Sequence, residues 1–375
     1  MNAYFSRTNS DTRVGLIIED TQTNPANSLD RLKNLAAKGV RIVIGPATSA
    51  DVQAVEDYAN KNGILILSPS STARSLSGGY NVFRFVQDDI HQAEAISRHM
   101  WQDGIRVVVP LWRTDVRGYD IVSAVKEDFG KLGGIVLDGI GYPPRTGDFS
   151  TSLNRINFIV WDQDLRSLSS KVTQAIDRFG ANKVGVYLVA FDEVVPIFIE
   201  ALNQPVLSMV KWYGSGTTAL NNRLVKNVEA AMFAAKTDFI NPIFGADNNS
   251  HKFKLVDNQI QEMIGRVPRS YAEVAYDAFW VAALTENATA GTKDIDSLRK
   301  TFLQITNSYT GITGNTSLDG AGYRKYGDYD FWAIKASDGT NNDNIVFQWK
   351  KVGVFKSDAN TTSGLTLPIS KKLHS

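Results

Sequence analysis

Five short segments carry the residues of this chain best suited to meet a small molecule: IGPATSAD (44–51), LSPSSTAR (67–74), PLWRTDVRG (110–118), VAFDEV (189–194) and YGSGTT (213–218). In GILILSPSSTARSL (63–76), four branched apolar residues run straight into Ser68-Pro69-Ser70-Ser71-Thr72, five small residues of which four are hydroxylated. A strand that stops this way ends either in an ordinary capping turn, since Ser and Thr favour helix caps, or in a binding surface of hydroxyls and free backbone N–H groups. Pro69 fixes φ and directs the chain outward. Trp112, Arg113 and Asp115 form an aromatic–cation–anion cluster that a strand-to-helix loop does not need for packing. Arg113 can bind a carboxylate, an amide or another anionic group.

Catalytic chemistry finds little footing. There is no cysteine, which removes disulfides, thiolate nucleophiles and Cys-type metal sites together. His91, His99, His251 and His374 show neither H-x3-H nor HExxH spacing, so no metal is expected, and His91 and His99 read as a solvated helix face. GIG (139–141) and GSG (214–216) lack GxGxxG, and neither GK[ST] nor GxSxG occurs, so no cofactor is expected. DGTNNDN (338–344) has oxygen ligands without EF-hand spacing and reads as a surface turn. The sequons at Asn248, Asn287, Asn315 and Asn360 are at the level expected by chance in a chain rich in Asn and Thr.

The bulk numbers narrow the class further. At 375 residues the chain fits two domains or one large one. Its 40 basic and 39 acidic side chains leave a net charge of +1, so no basic field invites nucleic acid. No apolar run reaches the ~18 residues a membrane span needs. Lack of cysteine is compatible with an oxidising compartment.

These segments have to be positioned by something, and the pattern supplies it. RVGLIIED (13–20), VRIVIGP (40–46), GILILSP (63–69), IRVVVPLW (105–112), GIVLDGIGYP (134–143), KVGVYLVA (183–190) and MVKWYGSG (209–216) read as strands. Helical periods lie between them, as in NPANSLDRLKNLAAKG, where Leu29, Leu32, Leu35 and Ala36 share a face. Continuous Val/Ile/Leu runs mean strands buried on both faces, hence parallel sheets clothed by helices. A helical stretch is expected from about His251 to Thr289. After Gly311, Gly, Asn, Asp and aromatics predict antiparallel strands with turns. In open parallel sheets, ligands bind beyond the carboxyl ends of strands, where all five segments fall.

EDTQTNPANSLDRLKNLAAKGVRIVIGPATSADVQAVEDYANKNGILILSPSSTARSLSGGYNVFRFVQDD resembles type I periplasmic binding proteins of the leucine/isoleucine/valine-binding kind. GDFSTSL (147–153), SYAEVAYDAFWVAA (270–283) and YTGITGNTSLDGAGYRKYGDYDFW (309–332) agree with it in the same order. The resemblance implies an α/β fold of two Rossmann-like lobes joined by a three-segment hinge. One lobe would hold 1–104 and 237–308, the other 105–236 and 309–375. The first strand and part of the first helix of the family would be missing ahead of NAYFSRTNSDTRVGLIIED, where no signal peptide is visible either.

The same resemblance places ligand contacts. Thr48 and Ser49, with Ser70, Ser71 and Thr72, would hold an amino acid's carboxylate and ammonium from the first lobe. Trp112, Arg113, Asp115, Phe191, Asp192 and Tyr271 would line the cleft, although Phe191 and Tyr271 serve equally as core packing. Relatives often carry an aromatic just before Gly118, where this chain has Arg117. They also place an acid in the loop after KWYG, where this chain has GSGTT. An ammonium buried there unpaired is costly. Asp115 or Asp192 takes that role, or the ligand is not an ordinary α-amino acid. The implied function is that of a monomeric solute-binding component of an ABC importer. It would stand outside the cytoplasm, bind a small amino-acid-like or amide ligand with hinge closure, and pass it to ABC permease subunits. A ligand-sensing regulator of the same fold is the first rival. An enzyme of doubly wound fold is the second.

Overall fold

The structure is a computed structural model. It describes the chain except residues 9–11, 79, 145–154, 246–249, 290, 293, 339–344, 358–364 and 367–375, and except the side chains of 155–160, 338 and 365–366. GDFSTSL, nearly all of DGTNNDN, His374 and the sequons at Asn248 and Asn360 therefore lie outside the described residues.

The chain forms two compact units and passes between them three times: Met1–Asp88 with Ala246–Gly327, and Asp89–Gly245 with Asp328–Ser375. Unit 1 opens with α1 (Asn2–Arg7), α2 (Pro25–Ala37), β1 (Ile42–Ile44), α3 (Ser49–Lys61), β2 (Leu65–Ser68) and β3 (Val82–Arg84). Unit 2 then holds α4 (Asp89–Gln102), β4 (Val107–Arg113), α5 (Val116–Lys131), β5 (Ile135–Val136), β6 (Ile140–Tyr142), α6 (Arg155–Phe179) and β7 (Val184–Val189). It continues with α7 (Val194–Ala201), β8 (Lys211–Tyr213), α8 (Asn222–Lys226), α9 (Val228–Lys236) and β9 (Ile240–Gly245). The chain returns to unit 1 for α10 (His251–Ile264), α11 (Tyr271–Thr289), α12 (Ile295–Ser308), β10 (Thr310–Gly311) and β11 (Gly314–Asn315). It closes in unit 2 with β12 (Asp328–Asp338), β13 (Ile345–Phe355) and β14 (Leu365–Thr366).

Local chemistry sets many of these boundaries. Asn24 caps α2, with Pro25 at the first helical position where no N–H is required. Asp115 caps α5 and Asp294 caps α12 in the same way. The sheet of unit 1 is parallel in the order β1-β2-β3, and that of unit 2 runs β14-β13-β12-β9-β8-β7-β4-β5, with β6 also on β4. From β4 to β9 the pairs are parallel, and β12 adds antiparallel to β9. Val107–Val109, Val184 and Val186 are fully buried, as two-sided cover requires. On one face Trp212 and Phe198 pack edge-to-face among the α6, α7 and α9 side chains. The other face packs Ile96, Ile121 and Phe129 on Val108 and Tyr187.

Several expectations are corrected. RVGLIIED is not a strand: among the described residues no strand pairs with 13–20, and Leu16 and Ile18 are 67% and 85% exposed. GIVLDGIGYP is broken in two. β5 pairs with Val107–Val108 and β6 with Leu111–Arg113. Between them stands Pro110, which has no N–H to give, and a Cβ on Gly139 would sit 1.8 Å from the Pro110 carbonyl oxygen. The helical stretch after His251 is interrupted at Gly265, which takes the left-handed conformation at the end of α10.

The units also divide elsewhere than at 104/105, 236/237 and 308/309. α4 belongs to unit 2 because Ala93, Ile96 and Met100 pack into the Val108–Phe129 core. Residues 309–327 belong to unit 1 because buried Arg324 donates to the carbonyl oxygens of Phe85, Thr313 and Asn315. His99 is no solvated residue: it is buried, stacked 4.8 Å from Phe331.

α11 buries two carboxyls with opposite provision. Asp277 accepts from the N–H groups of Ile312 and Thr313 at 2.9 and 2.8 Å, and a Cβ on Gly311 would sit 2.2 Å from its carboxyl. Glu273, 1% exposed, has the Asp257 carboxyl beside it. Burial, reinforced by the carboxyls of Asp257 and Asp277, pushes Glu273 up to about 8. A carboxyl raised in this way stabilises the fold while protonated. That contribution is complete below the unfolded value, about 4.3, and is lost as pH rises through the folded value. The melting temperature is therefore expected to fall between about pH 5 and pH 9, and Glu273→Gln to flatten that fall. The loss across this window is on the order of a few kcal/mol, readable by calorimetry at stepped pH.

Candidate functional site

In unit 1 the two hydroxyl-bearing loops are laced together at the carboxyl ends of β1 and β2. Thr48 caps α3: its Oγ1 accepts from the Asp51 N–H at 3.2 Å and donates to Asp51 Oδ2 at 2.7 Å. Ser49 turns inward, where its Oγ accepts from the N–H groups of Thr72 and Ala73 at 3.3 and 3.2 Å and lies 3.1 Å from Ser71 Oγ. Ser70 Oγ donates to the Ala47 carbonyl oxygen at 2.7 Å. Thr48, Ser49, Ser70, Ser71 and Thr72 are thus brought together. Ser49, Ser71 and Thr72 are buried, with the Ser49 and Ser71 hydroxyls joining loop to loop, while Thr48 and Ser70 stay half-buried. The first-turn N–H groups of Ser49 and Ala50 have no carbonyl inside α3 to meet, and the helix dipole makes that end favourable to an anion. Tyr271 stands half-buried at the first position of α11.

In unit 2, Arg113 ends β4 between two acids. Its Nε donates to Asp115 Oδ2 at 2.9 Å and its Nη1 donates to Glu193 Oε1. The guanidinium lies 4.4 Å from the Phe191 ring centroid. Asp115 also caps α5, accepting from the Gly118 N–H at 2.8 Å, and Glu193 accepts from the Phe191 N–H at 2.8 Å. Burial works against the charge of Arg113, but Glu193 and Asp115 outweigh it and hold the guanidinium above its usual value. Burial pushes the Glu193 carboxyl up, against the pull of Arg113, and with both acids ionised the trio carries a net charge of −1. Trp112 is half-buried beside it, and its Nε1 has no partner among the described residues.

Asp192 stands apart from this trio. Its half-exposed side chain accepts from Asn221 Nδ2 at 2.9 Å and faces Arg223 Nε at 3.3 Å. Glu193, its neighbour, is the buried acid that sequence reasoning missed, because DE on a strand-to-helix turn does not reveal which acid faces inward. The signal was Arg113 itself, a cation on a buried strand that needs more than one partner. Arg117 was noted as a departure, but its role was not legible. It is buried, donates to Gln92 Oε1 at 3.0 Å and lies 3.4 Å from Asp89, while Gln92 Oε1 also accepts from the Gly216 N–H at 3.0 Å. The GSGTT loop is therefore held by a buried cation and an amide. Among the described residues no group of three His, Cys, Asp or Glu could hold a metal ion, and no helix is long and apolar enough to cross a membrane.

Parallel sheets clothed by helices in two units make an α/β protein, and solved structures give it the type I periplasmic-binding-protein fold. Leucine-binding protein LivK of Thermotoga maritima matches with a TM-score of 0.70 at 16% identity, over 92% of this chain and 91% of that one. LivJ of Streptococcus pneumoniae, solved with isoleucine, matches at 0.65 and 18%, over 93% and 91%. A solute-binding protein of an ABC transporter from Rhodopseudomonas palustris, solved with 3,4-dihydroxybenzoic acid, matches at 0.69 and 15%, over 95% and 90%.

The model of the receptor family ligand binding region matches residues 5–337, and the chain belongs to that family. Among curated proteins, an uncharacterised protein of Methanocaldococcus jannaschii is 29% identical over 95% of this chain and 82% of its own length. The Leu/Ile/Val-binding protein BraC3 of Rhizobium johnstonii is 31% identical over 24% of each chain.

The Arg113 trio makes a clear prediction. Arg113→Met leaves the Glu193 carboxylate buried without its cation and is expected to lower stability by about 3–5 kcal/mol at pH 7. Adding Glu193→Gln should recover a large part of that loss, which urea unfolding of the single and double variants would measure. If the second substitution only deepened the loss, the pairing would not be what holds this loop.

Proposed function

We propose that this chain is the monomeric solute-binding component of an ABC importer, working outside the cytoplasm and delivering an α-amino acid or a close amide relative to permease subunits. The observation that carries the reading is the opposite polarity of the two loop sets. In unit 1, the N–H groups at the start of α3 favour a carboxylate, beside loops that carry Thr48, Ser70 and Thr72. In unit 2, the net-negative trio of Arg113, Asp115 and Glu193, with Phe191 and Trp112 beside it, favours an ammonium and an apolar side chain. Asp115 and Glu193 thereby take the role left open by the acid-free GSGTT loop, and Tyr271 adds aromatic contact. The amino-acid-binding neighbours support the ligand class. Family membership and the binding proteins among the relatives support binding over catalysis.

A thermal-shift screen against α-amino acids, their amides and aromatic carboxylic acids tests this. A ligand at one hundred times its Kd stabilises by about 2.7 kcal/mol. Zwitterionic amino acids are expected to raise the melting temperature, and Phe191→Ala to reduce the shift while leaving the unliganded protein folded. Shifts confined to benzoates would replace the amino-acid reading by an aromatic-acid one. Silence across the panel would contradict solute binding of either kind.

A further inference from the structure

In unit 1, α3 passes into β2 through only Asn62, Gly63 and Ile64. Both ends of this connection are fixed. Ile64 donates its N–H to the Ala59 carbonyl oxygen at 3.0 Å and Leu65 donates to that of Arg41 at 2.8 Å, after which Leu65, Ile66 and Leu67 are fully buried. α3 ends at Lys61, and the chain turns away through Gly63 at φ +64°, a left-handed conformation that favours glycine. Asn62 is the exposed residue that closes the helix. Its Nδ2 donates to the Tyr58 carbonyl oxygen at 2.8 Å, beside its own backbone N–H at 3.0 Å. A polar closing residue and a left-handed turn, met side by side, make an Asn-Gly pair, and Asn62 is the only Asn in the chain that glycine follows.

We propose that Asn62 is the residue at which the folded chain first modifies itself, losing its side-chain amide and gaining an aspartyl or isoaspartyl link. The Gly63 nitrogen attacks Asn62 Cγ and forms the N–Cγ bond. The Cγ–Nδ2 bond breaks, and Nδ2 leaves as ammonia with the Gly63 amide proton. Water then opens the succinimide ring. Cleavage of N–Cγ gives aspartate, and cleavage of the bond from N to the Asn62 backbone carbonyl carbon gives isoaspartate. The local structure favours ring closure here. Gly63 has no side chain to shield its nitrogen, and its N–H makes no hydrogen bond among the described residues. The side-chain bond that must open, Nδ2 to Tyr58, lies at the surface where water reaches it. Rotation about ψ of Asn62, which stands at 8°, carries the nitrogen onto Cγ. The product has a physical cost. Aspartate sets a carboxylate at the negative end of α3, facing the Tyr58 carbonyl oxygen in place of a donor. Isoaspartate adds a backbone carbon to a connection of three residues whose ends are fixed. The change lies at the ends of α3 and β2 opposite the hydroxyl loops, and it is independent of which solute binds.

The test ages the full chain in warm, mildly alkaline buffer and maps its peptides by mass spectrometry, with Asn62→Gln and a free peptide of residues 58–66 aged in parallel. Asn62 is expected to show the mass gain of an amide turned acid before any other Asn, as a mixture of aspartate and isoaspartate, while Asn62→Gln stays unchanged at that position. The aged protein and, separately, Asn62→Asp are expected to melt about 2–4 °C below the fresh protein. Hydrogen exchange at the Ile64 and Leu65 amides is expected to quicken by about tenfold in the isoaspartyl form. Retention of the amide at Asn62 after the free peptide has lost it would overturn the proposal, because the fold would then be holding the ring open. Earlier loss at another Asn of the folded chain would overturn it as well. A fully modified chain that melts and exchanges like the fresh one would overturn the cost assigned to the product.

Discussion

A strand covered on both faces can satisfy its backbone only sideways, and the architecture of this protein follows from that constraint. In unit 2 it is met: β4 lies between β7 on one side and β5 with β6 on the other, and its valines are fully buried. Even the interruption at Pro110 is absorbed, because the facing strand divides in two where the N–H is missing. In unit 1 the same constraint is met at β2 and only half met at β1. Among the described residues β1 pairs with β2 alone, and Leu16, Ile17 and Ile18 near it are exposed.

The constraint also shapes the strand ends. Where a buried strand stops, polar groups must be satisfied within a few residues, and the two units do so with different chemistry. Unit 1 uses small hydroxyls: Ser49 accepts from the chain after β2, and Ser70 donates to the chain after β1. Because small side chains do the lacing, the two loops lie close together at the start of α3. Unit 2 uses charge, setting Arg113 between Asp115 and Glu193, and Arg117 against Gln92 and Asp89. Such buried charges are costly singly and tolerable together, so each loop works as a set.

Much of the fold was legible because hydrophobic runs and caps are local signals. β2, β4 and β7 were plain from their aliphatic runs, and the hydroxyl cluster after Leu67 was plain from residue type alone. What failed depended on partners distant in sequence. RVGLIIED has the composition of a strand and lacks only a neighbour. α4 has an ordinary amphipathic pattern, and nothing in it says which of two cores receives Ile96. In the site, residue types were legible and pairings were not. Asp192 and Glu193 differ by one position, and only the turn after β7 decides that Glu193 faces Arg113 while Asp192 meets Arg223.

The proposed function requires a solute that carries a carboxylate and an ammonium together. Calorimetric titration with the best-binding amino acid, its des-amino analogue and its methyl ester tests this most directly, because each analogue removes one of the two charges. Recognition as described requires both analogues to bind at least about tenfold more weakly, a loss of about 1.4 kcal/mol each. Equal affinity for the des-amino acid would contradict the role given to Asp115 and Glu193, and equal affinity for the ester would contradict the role given to the hydroxyl loops.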